Sequence, residues 1–204
     1  MEIVCLDLEG VLVPEIWINF AKKTGIKALE ATTRDIPDYD VLMKQRLAIL
    51  REHKLGLPDI QAVIADMGPL PGAAEFVAWV REHFQLIILS DTFYEFADPL
   101  MKQLGRPTIF CHKLETDAQG IITNYILRQP DQKREAVKAL HGLKYRVIAA
   151  GDSYNDTAML DEADKGILFD APANVIREFP QFPVTKTYAE LQAHIRSGSL
   201  RDIP

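Results

Sequence analysis

Two acids interrupt an apolar run near the start of the chain. In VCLDLEGVLV, residues 4–13, Asp7 and Glu9 stand among hydrophobic side chains and a glycine follows directly. A carboxylate stripped of water is costly unless a cation or hydrogen-bond donors take the water's place. The pattern recurs. QLIILSD (85–91) ends an apolar run on Ser90 and Asp91, and YRVIAAGD (145–152) ends on Asp152, with Asp156 four residues on in GDSYND. If these run ends meet, as many as five acids converge, and like charges that close call for a divalent cation. An all-oxygen donor set favours Mg²⁺ over zinc. Taken singly, each piece has a plain structural reading: Asp7 as a helix cap, Ser90 as an N-cap, GDSYND as a common turn, and Lys133 in QPDQKREAV as a surface lysine at a helix start. Their order and placement together single them out.

The elements that must position these residues alternate between strand and helix. Strands are expected at EIVCLDL, QLIILSD, YRVIAAGD, GILF (166–169) and, near an edge, RPTIFC (106–111). Between them GAAEFVAWVREHF, FYEFADPLMKQLG, DQKREAVKALHG and NDTAMLDEA carry helical periodicity. This predicts an α/β fold, a Rossmann-like parallel sheet flanked by helices. Residues 112–127 read as a β-hairpin turning at DAQG, with an edge that could pair two copies into a homodimer. The tail SGSLRDIP reads as frayed. Residues 14–71 break the alternation with helical pattern where one short crossover belongs. They are expected to form an inserted helical cap, with Pro69 and Pro71 stiffening its return, over a core of residues 1–13 and 72–204. In open α/β sheets ligands bind beyond the carboxyl ends of the strands, where such a cap would cover them.

Composition narrows the partners. The chain has 204 residues, 48% hydrophobic, and a net charge of −6, which argues against a general grip on nucleic acid. Cys5 and Cys111 form no CxxC pair and read as buried free thiols. The five histidines lack ligand-like spacing, so a zinc site built from them is not expected. No signal peptide or membrane span is read, and a cytoplasmic location is expected.

The series D-L-E-G, I-L-S-D-T, Lys133 and G-D-S-Y-N-D-T-A-M-L resembles the haloacid dehalogenase superfamily of phosphotransferases across most of the chain. The resemblance implies that Asp7 is a nucleophile forming an aspartyl-phosphate and that Glu9 is the general acid and base. It implies Mg²⁺ held by Asp7, the Glu9 carbonyl and Asp152, with Asp156 as an acid behind these metal ligands or a ligand through water. Ser90 and the Asp91 amide would hold phosphoryl oxygens, and Lys133 would neutralise nucleophile and phosphate.

Within the superfamily the helical cap and G-D-x-x-N-D pattern resemble phosphoserine phosphatases. On DYDVLMKQRLAILREH, Met43, Arg46 and Leu50 share a face, so a guanidinium interrupts an apolar stripe. Arg46 reads either as a snorkelling flank residue or as a clamp for a substrate carboxylate. Glu15 would then face an amine, Asn155 the phosphate, and Phe20 and Met43 would be cap walls. Glu9 where the superfamily commonly has Asp, and Val11 where it has a small hydroxyl, resemble the bifunctional type that also passes the phosphoryl group from phosphoserine to homoserine. Spacing and composition alone reach a Mg²⁺-dependent phosphomonoesterase with a capped site.

Overall fold

The computed structural model describes residues 1–32, 35–36 and 38–203. Residues 33, 34 and 37 of the expected cap, and the last residue of the expected frayed tail, lie outside them. Among the described residues seven strands form one sheet: β1 (Glu2–Leu6), β2 (Gln85–Phe93), β3 (Thr108–Thr116), β4 (Ile122–Ile126), β5 (Arg146–Gly151), β6 (Lys165–Phe169) and β7 (Val184–Thr185). Their order is β4-β3-β2-β1-β5-β6-β7, parallel throughout except where β4 runs back along β3. β1 therefore lies between β2 and β5, where the direction of winding reverses. That reversal opens a crevice past the strand ends.

Strand residues alternate between two apolar layers, as the period of a strand requires. Val4 and Leu6 of β1 join Ile88, Ile148 and Ile167 on one face, while Ile3 and Cys5 join Leu89, Val147 and Ala149 on the other. The first layer packs under α4 (Ala73–His83) and α5 (Tyr94–Gln103). The second packs under α6 (Gln132–Gly142) and α7 (Tyr154–Glu162). Burial pushes both thiols, Cys5 and Cys111, up to about 12, which keeps them inert.

Among the described residues three helices separate β1 from α4: α1 (Ile16–Thr24), α2 (Tyr39–Glu52) and α3 (Leu57–Asp66), with a 3₁₀ turn at Lys27–Glu30. Their boundaries are written locally. Gly25 ends α1 at φ +72°, Asp38 caps α2 by accepting from the amides of Asp40 (2.9 Å) and Val41 (3.1 Å), and Pro58 opens α3. Trp17, Phe20, Met43, Leu47, Ile60 and Ile64 form a core continuous with the sheet's first layer, and Trp17 meets Phe96 edge-on at 5.5 Å.

Several expectations change. RPTIFC and the start of the hairpin are one strand, because β3 continues without a break to Thr116 before turning at Asp117–Gly120. The tail is tied down, not frayed: Ser199 Oγ (2.8 Å), the Leu200 amide (2.7 Å) and Arg201 Nε (2.7 Å) all donate to the Glu2 carboxylate. Two more helices, α8 (Ala173–Glu178) and α9 (Tyr188–Gly198), and the short β7 complete the chain. Phe20 and Met43 are fully buried and do not line the cavity described below, so they are core residues and not walls. No helix among the described residues is long and apolar enough to cross a membrane.

Candidate active site

Regular pairing of β1 stops at Leu6, although the Asp7 amide still donates to Ala150 O at 3.0 Å. The chain then folds into a tight loop in which the amides of Leu12 and Val13 bond the Leu8 carbonyl. Gly10 sits there at φ +77°, and a Cβ would lie 2.4 Å from Asp152 Oδ2. Glycine is needed for both reasons. A second glycine, Gly151, lets Asp156 approach equally closely, since a Cβ there would lie 2.3 Å from its Cγ.

These approaches bring Asp7, Asp152 and Asp156 together, each offering an oxygen within 4.8 Å of the others. Lys133, buried on the first turn of α6, lies 2.9 Å from Asp7 Oδ1, 2.7 Å from Asp156 Oδ1 and 3.7 Å from Asp91 Oδ2. The Asp7 contact is an ion pair without hydrogen-bond alignment, and Oδ1 is left with no hydrogen-bond partner. Asp156 is differently placed. Its Oδ2 accepts from the Asp152 and Ser153 amides and the Ser153 hydroxyl, and its Oδ1 from Lys133, so both oxygens are engaged in holding the turn.

The electrostatics follow from that crowding. Burial first, then the carboxylates of Asp156 and Asp152, push Asp7 well above the usual carboxylate range, against the pull of Lys133. Burial and Asp156 push Asp152 up to about 7, and burial with the neighbouring Glu15 pushes Glu9 up to about 8. Lys133 is held well above its ordinary value by its three carboxylate neighbours, which outweigh burial. One ammonium among these acids leaves an excess of negative charge. An Asp7 oxygen that has an ion pair but no aligned hydrogen bond, and an all-oxygen donor set, fit a hard divalent cation.

A cavity of about 190 Å³ opens over these groups, lined on the sheet side by Asp7, Glu9, Ser90, Asp91, Lys133 and Asp152 and on the helical side by Glu15 and Arg46. Asn155 also reaches it, exposed, from α7. Ser90 lies within β2, three residues before the Phe93 N-cap of α5, so it does not cap that helix. Its Oγ accepts from the Thr92 amide at 3.3 Å, which leaves the hydroxyl proton free to donate. The Glu9 carboxylate accepts from the Ile16 amide at 2.9 Å and so ties the loop to α1.

Arg46 is the unusual member of the lining. It is buried at 7% exposure, donates from Nη2 to Ala31 O (2.8 Å), lies 4.5 Å from the Trp17 ring centroid, and leaves Nε without a partner. Among the described residues it forms no ion pair. Burial pulls its guanidinium down to about 10, opposed by Tyr39, Glu9 and Glu15. A buried cation without a counterion is expensive unless a ligand supplies one.

Sequence reasoning missed four residues around this site. Trp17 and Tyr39 line the cavity, and the Tyr39 hydroxyl donates to Asp91 O at 3.4 Å. Gln132 and His112 stand behind Asp91. Aromatic residues on amphipathic helices look like core residues, and no local spacing marks Gln132 or His112.

Fold and site define a class: the chain belongs to the haloacid dehalogenase-like hydrolases, whose family model matches residues 1–164. Over 203 residues it is 68% identical to phosphoserine phosphatase ThrH of Pseudomonas aeruginosa, covering 100% of this chain and 99% of that relative. It is 66% identical over 203 residues to a phosphoserine phosphatase of Pseudomonas syringae pv. tomato, covering 100% of this chain and 86% of the relative. Its fold is similar to that of a phosphoserine phosphatase solved as a phospho-aspartyl intermediate analogue, with a TM-score of 0.77 at 16% identity over 95% of this chain and 98% of that one.

Proposed function

We propose that this hydrolase is a Mg²⁺-dependent phosphoserine phosphatase that works through an aspartyl-phosphate on Asp7 and also passes the phosphoryl group to homoserine. One observation carries the substrate: the unpaired guanidinium of Arg46 and the carboxylate of Glu15 share a cavity with Asp7. A phosphate ester that also bears a carboxylate and an ammonium would meet all three. High identity to relatives named for phosphoserine supports the same choice.

Asp7, the Glu9 carbonyl and Asp152 would hold Mg²⁺, with Asp156 behind them. When bound, Mg²⁺ supplies positive charge beside the phosphoryl oxygens and Asp7. An Asp7 oxygen attacks phosphorus as the bond to the serine oxygen breaks, and Glu9 gives that oxygen its proton. Lys133 offsets the charge of Asp7 so that two anions can approach. The Ser90 hydroxyl and Asp91 amide donate to phosphoryl oxygens, with Asn155 beside them. In the second half Glu9 takes a proton from water or from the homoserine hydroxyl, whose oxygen attacks the phosphorus and frees Asp7. The helices between residues 14 and 71 act as the cap that limits water at this step.

Supplying phosphoserine with Mg²⁺, with and without homoserine, and identifying the products tests the reading. Serine and inorganic phosphate are expected in one arm and phosphohomoserine in the other. A protein that releases no serine in either arm is not this enzyme.

A further inference from the structure

We propose that Gln132 and His112 are positioning residues that clamp the end of β2, so that Ser90 and Asp91 present fixed donors to the phosphoryl group. The inference rests on the phosphoryl-transfer reading above, but not on which ester is cleaved. Neither residue lines the cavity, so each acts through its neighbours.

The need for a clamp lies in the register of the strands. Leu89 pairs with Phe110 and Phe93 with His112, so four steps along β2 oppose two along β3. The surplus lifts Ser90, Asp91 and Thr92 out of the regular ladder and aims them at the cavity. Out of the ladder, their positions must be fixed by side chains.

Gln132 supplies two of the restraints. Its Nε2 donates to Ser90 O and, at 3.2 Å, to Asp91 Oδ1. His112 stands on the other side, with Nε2 3.6 Å from the same Asp91 oxygen, a charge-oriented contact longer than a hydrogen bond. The His112 ring is itself fixed: Nδ1 accepts from the Arg128 amide at 3.1 Å, so Nε2 is the nitrogen that carries the proton toward Asp91. Both side chains are buried. Gln132 also directly precedes Lys133, so one helix start holds both the ammonium and the strand end that it faces. The residue before it, Asp131, takes φ +47°, a strained choice for a non-glycine, to deliver that start.

The other end of the Gln132 amide separates positioning from mere packing. Oε1 is buried without a partner. Turning the amide over would set that oxygen against Ser90 O and the Asp91 carboxylate, so the donor orientation prevails. A lone buried acceptor is destabilising, and a residue kept only for stability would not carry one. Methionine has nearly the same shape and removes the unsatisfied oxygen together with the donor.

The test compares wild type, Gln132→Met, His112→Leu and His112→Gln with Mg²⁺, on phosphoserine and on p-nitrophenyl phosphate, with melting temperatures for each. Gln132→Met is expected to lower kcat about tenfold to a hundredfold with little change in KM, while the variant stays fully folded at the assay temperature. His112→Gln, whose amide nitrogen can stand where Nε2 stood, is expected to recover most of what His112→Leu loses. Gln132→Met with kcat within about twofold of wild type, or with a loss matched by its unfolded fraction, overturns the proposal. If wild type cleaves only p-nitrophenyl phosphate, the phosphoserine reading falls while the same comparison of variants still decides the clamp.

Discussion

Glu2 and Asp7 stand at the two ends of one strand, both buried, yet in opposite states. Burial alone would push Glu2 up, but the Arg201 guanidinium, the Leu200 amide and the Ser199 hydroxyl outweigh it and hold the carboxyl below its usual range. At Asp7 burial is reinforced by Asp156 and Asp152, and the carboxyl is pushed well up despite Lys133. The sheet supplies neither difference, since β1 pairs regularly with β2 and β5 over this length. Glu2 is closed by donors of its own chain and gains stability. Asp7 shares its one cation, Lys133, with Asp156 and Asp91, and its Oδ1 gains no aligned hydrogen bond. A buried acid reads as structural or functional by its partners, not by its burial.

The strongest way to break the comparison is Asp7→Asn. Turnover of phosphoserine is expected to fall at least about a thousandfold, measured by phosphate release, because the proposed mechanism forms its intermediate on Asp7. The metal-free variant is expected to melt no lower than wild type, since one of three crowded carboxylates loses its charge. A marked drop in melting temperature would place Asp7 with Glu2 as a stabilising acid. Lys133→Met should do the reverse, costing about 3–5 kcal/mol in urea unfolding of the metal-free protein, because Asp7 and Asp156 lose their shared buried cation.

Removal of the metal sharpens the contrast between the ends. EDTA is expected to stop turnover and Mg²⁺ to restore it. Saturating Mg²⁺ should also stabilise the fold by about 2–3 kcal/mol near a hundredfold excess over Kd. Glu2→Gln should keep that increment and Asp152→Asn should lose it. An increment that survives Asp152→Asn would move the cation away from this cluster.

The functional end was more legible in the sequence than the structural one. Acids at the ends of three apolar runs can be read off directly, because a run and its last residue are neighbours in the chain. The Arg46 face on α2 was legible for the same reason. The Glu2 clamp joins residues about two hundred apart, through a tail whose polar composition looks frayed. β3 was divided in two because its apolar first half, to Cys111, gives way to an alternation in which Lys113 and Glu115 are exposed and Leu114 is buried, so one strand carries two patterns. Phe20 and Met43 share a helical face with true lining residues, and only the packing of α1 and α2 turns them inward. Asp156 was expected behind the metal or bound to it through water, and what spacing could not show is that the turn engages both of its oxygens.

Arg46→Ala probes the ligand that the cavity awaits. Its KM for phosphoserine is expected to rise about tenfold to a hundredfold, the worth of a charge-assisted contact, while cleavage of p-nitrophenyl phosphate, which lacks a carboxylate, changes little. Equal losses on both substrates would make Arg46 a cap support instead of a clamp.

Glu2→Gln carries the smallest expected effect and the clearest sign. The folded carboxyl titrates below its unfolded value of about 4.3, so its contribution is fully present above that pH and is lost as pH falls through the lower, folded value. At pH 7 the substitution should cost about 1–2 kcal/mol in urea unfolding, discounted because Arg201 is half exposed. Measured again near pH 3, the gap between wild type and variant should narrow, since the wild-type carboxyl is then protonated in the unfolded chain and increasingly so in the folded one. A gap that stays constant from pH 7 to pH 3 would mean that shape and not charge closes this end of the strand.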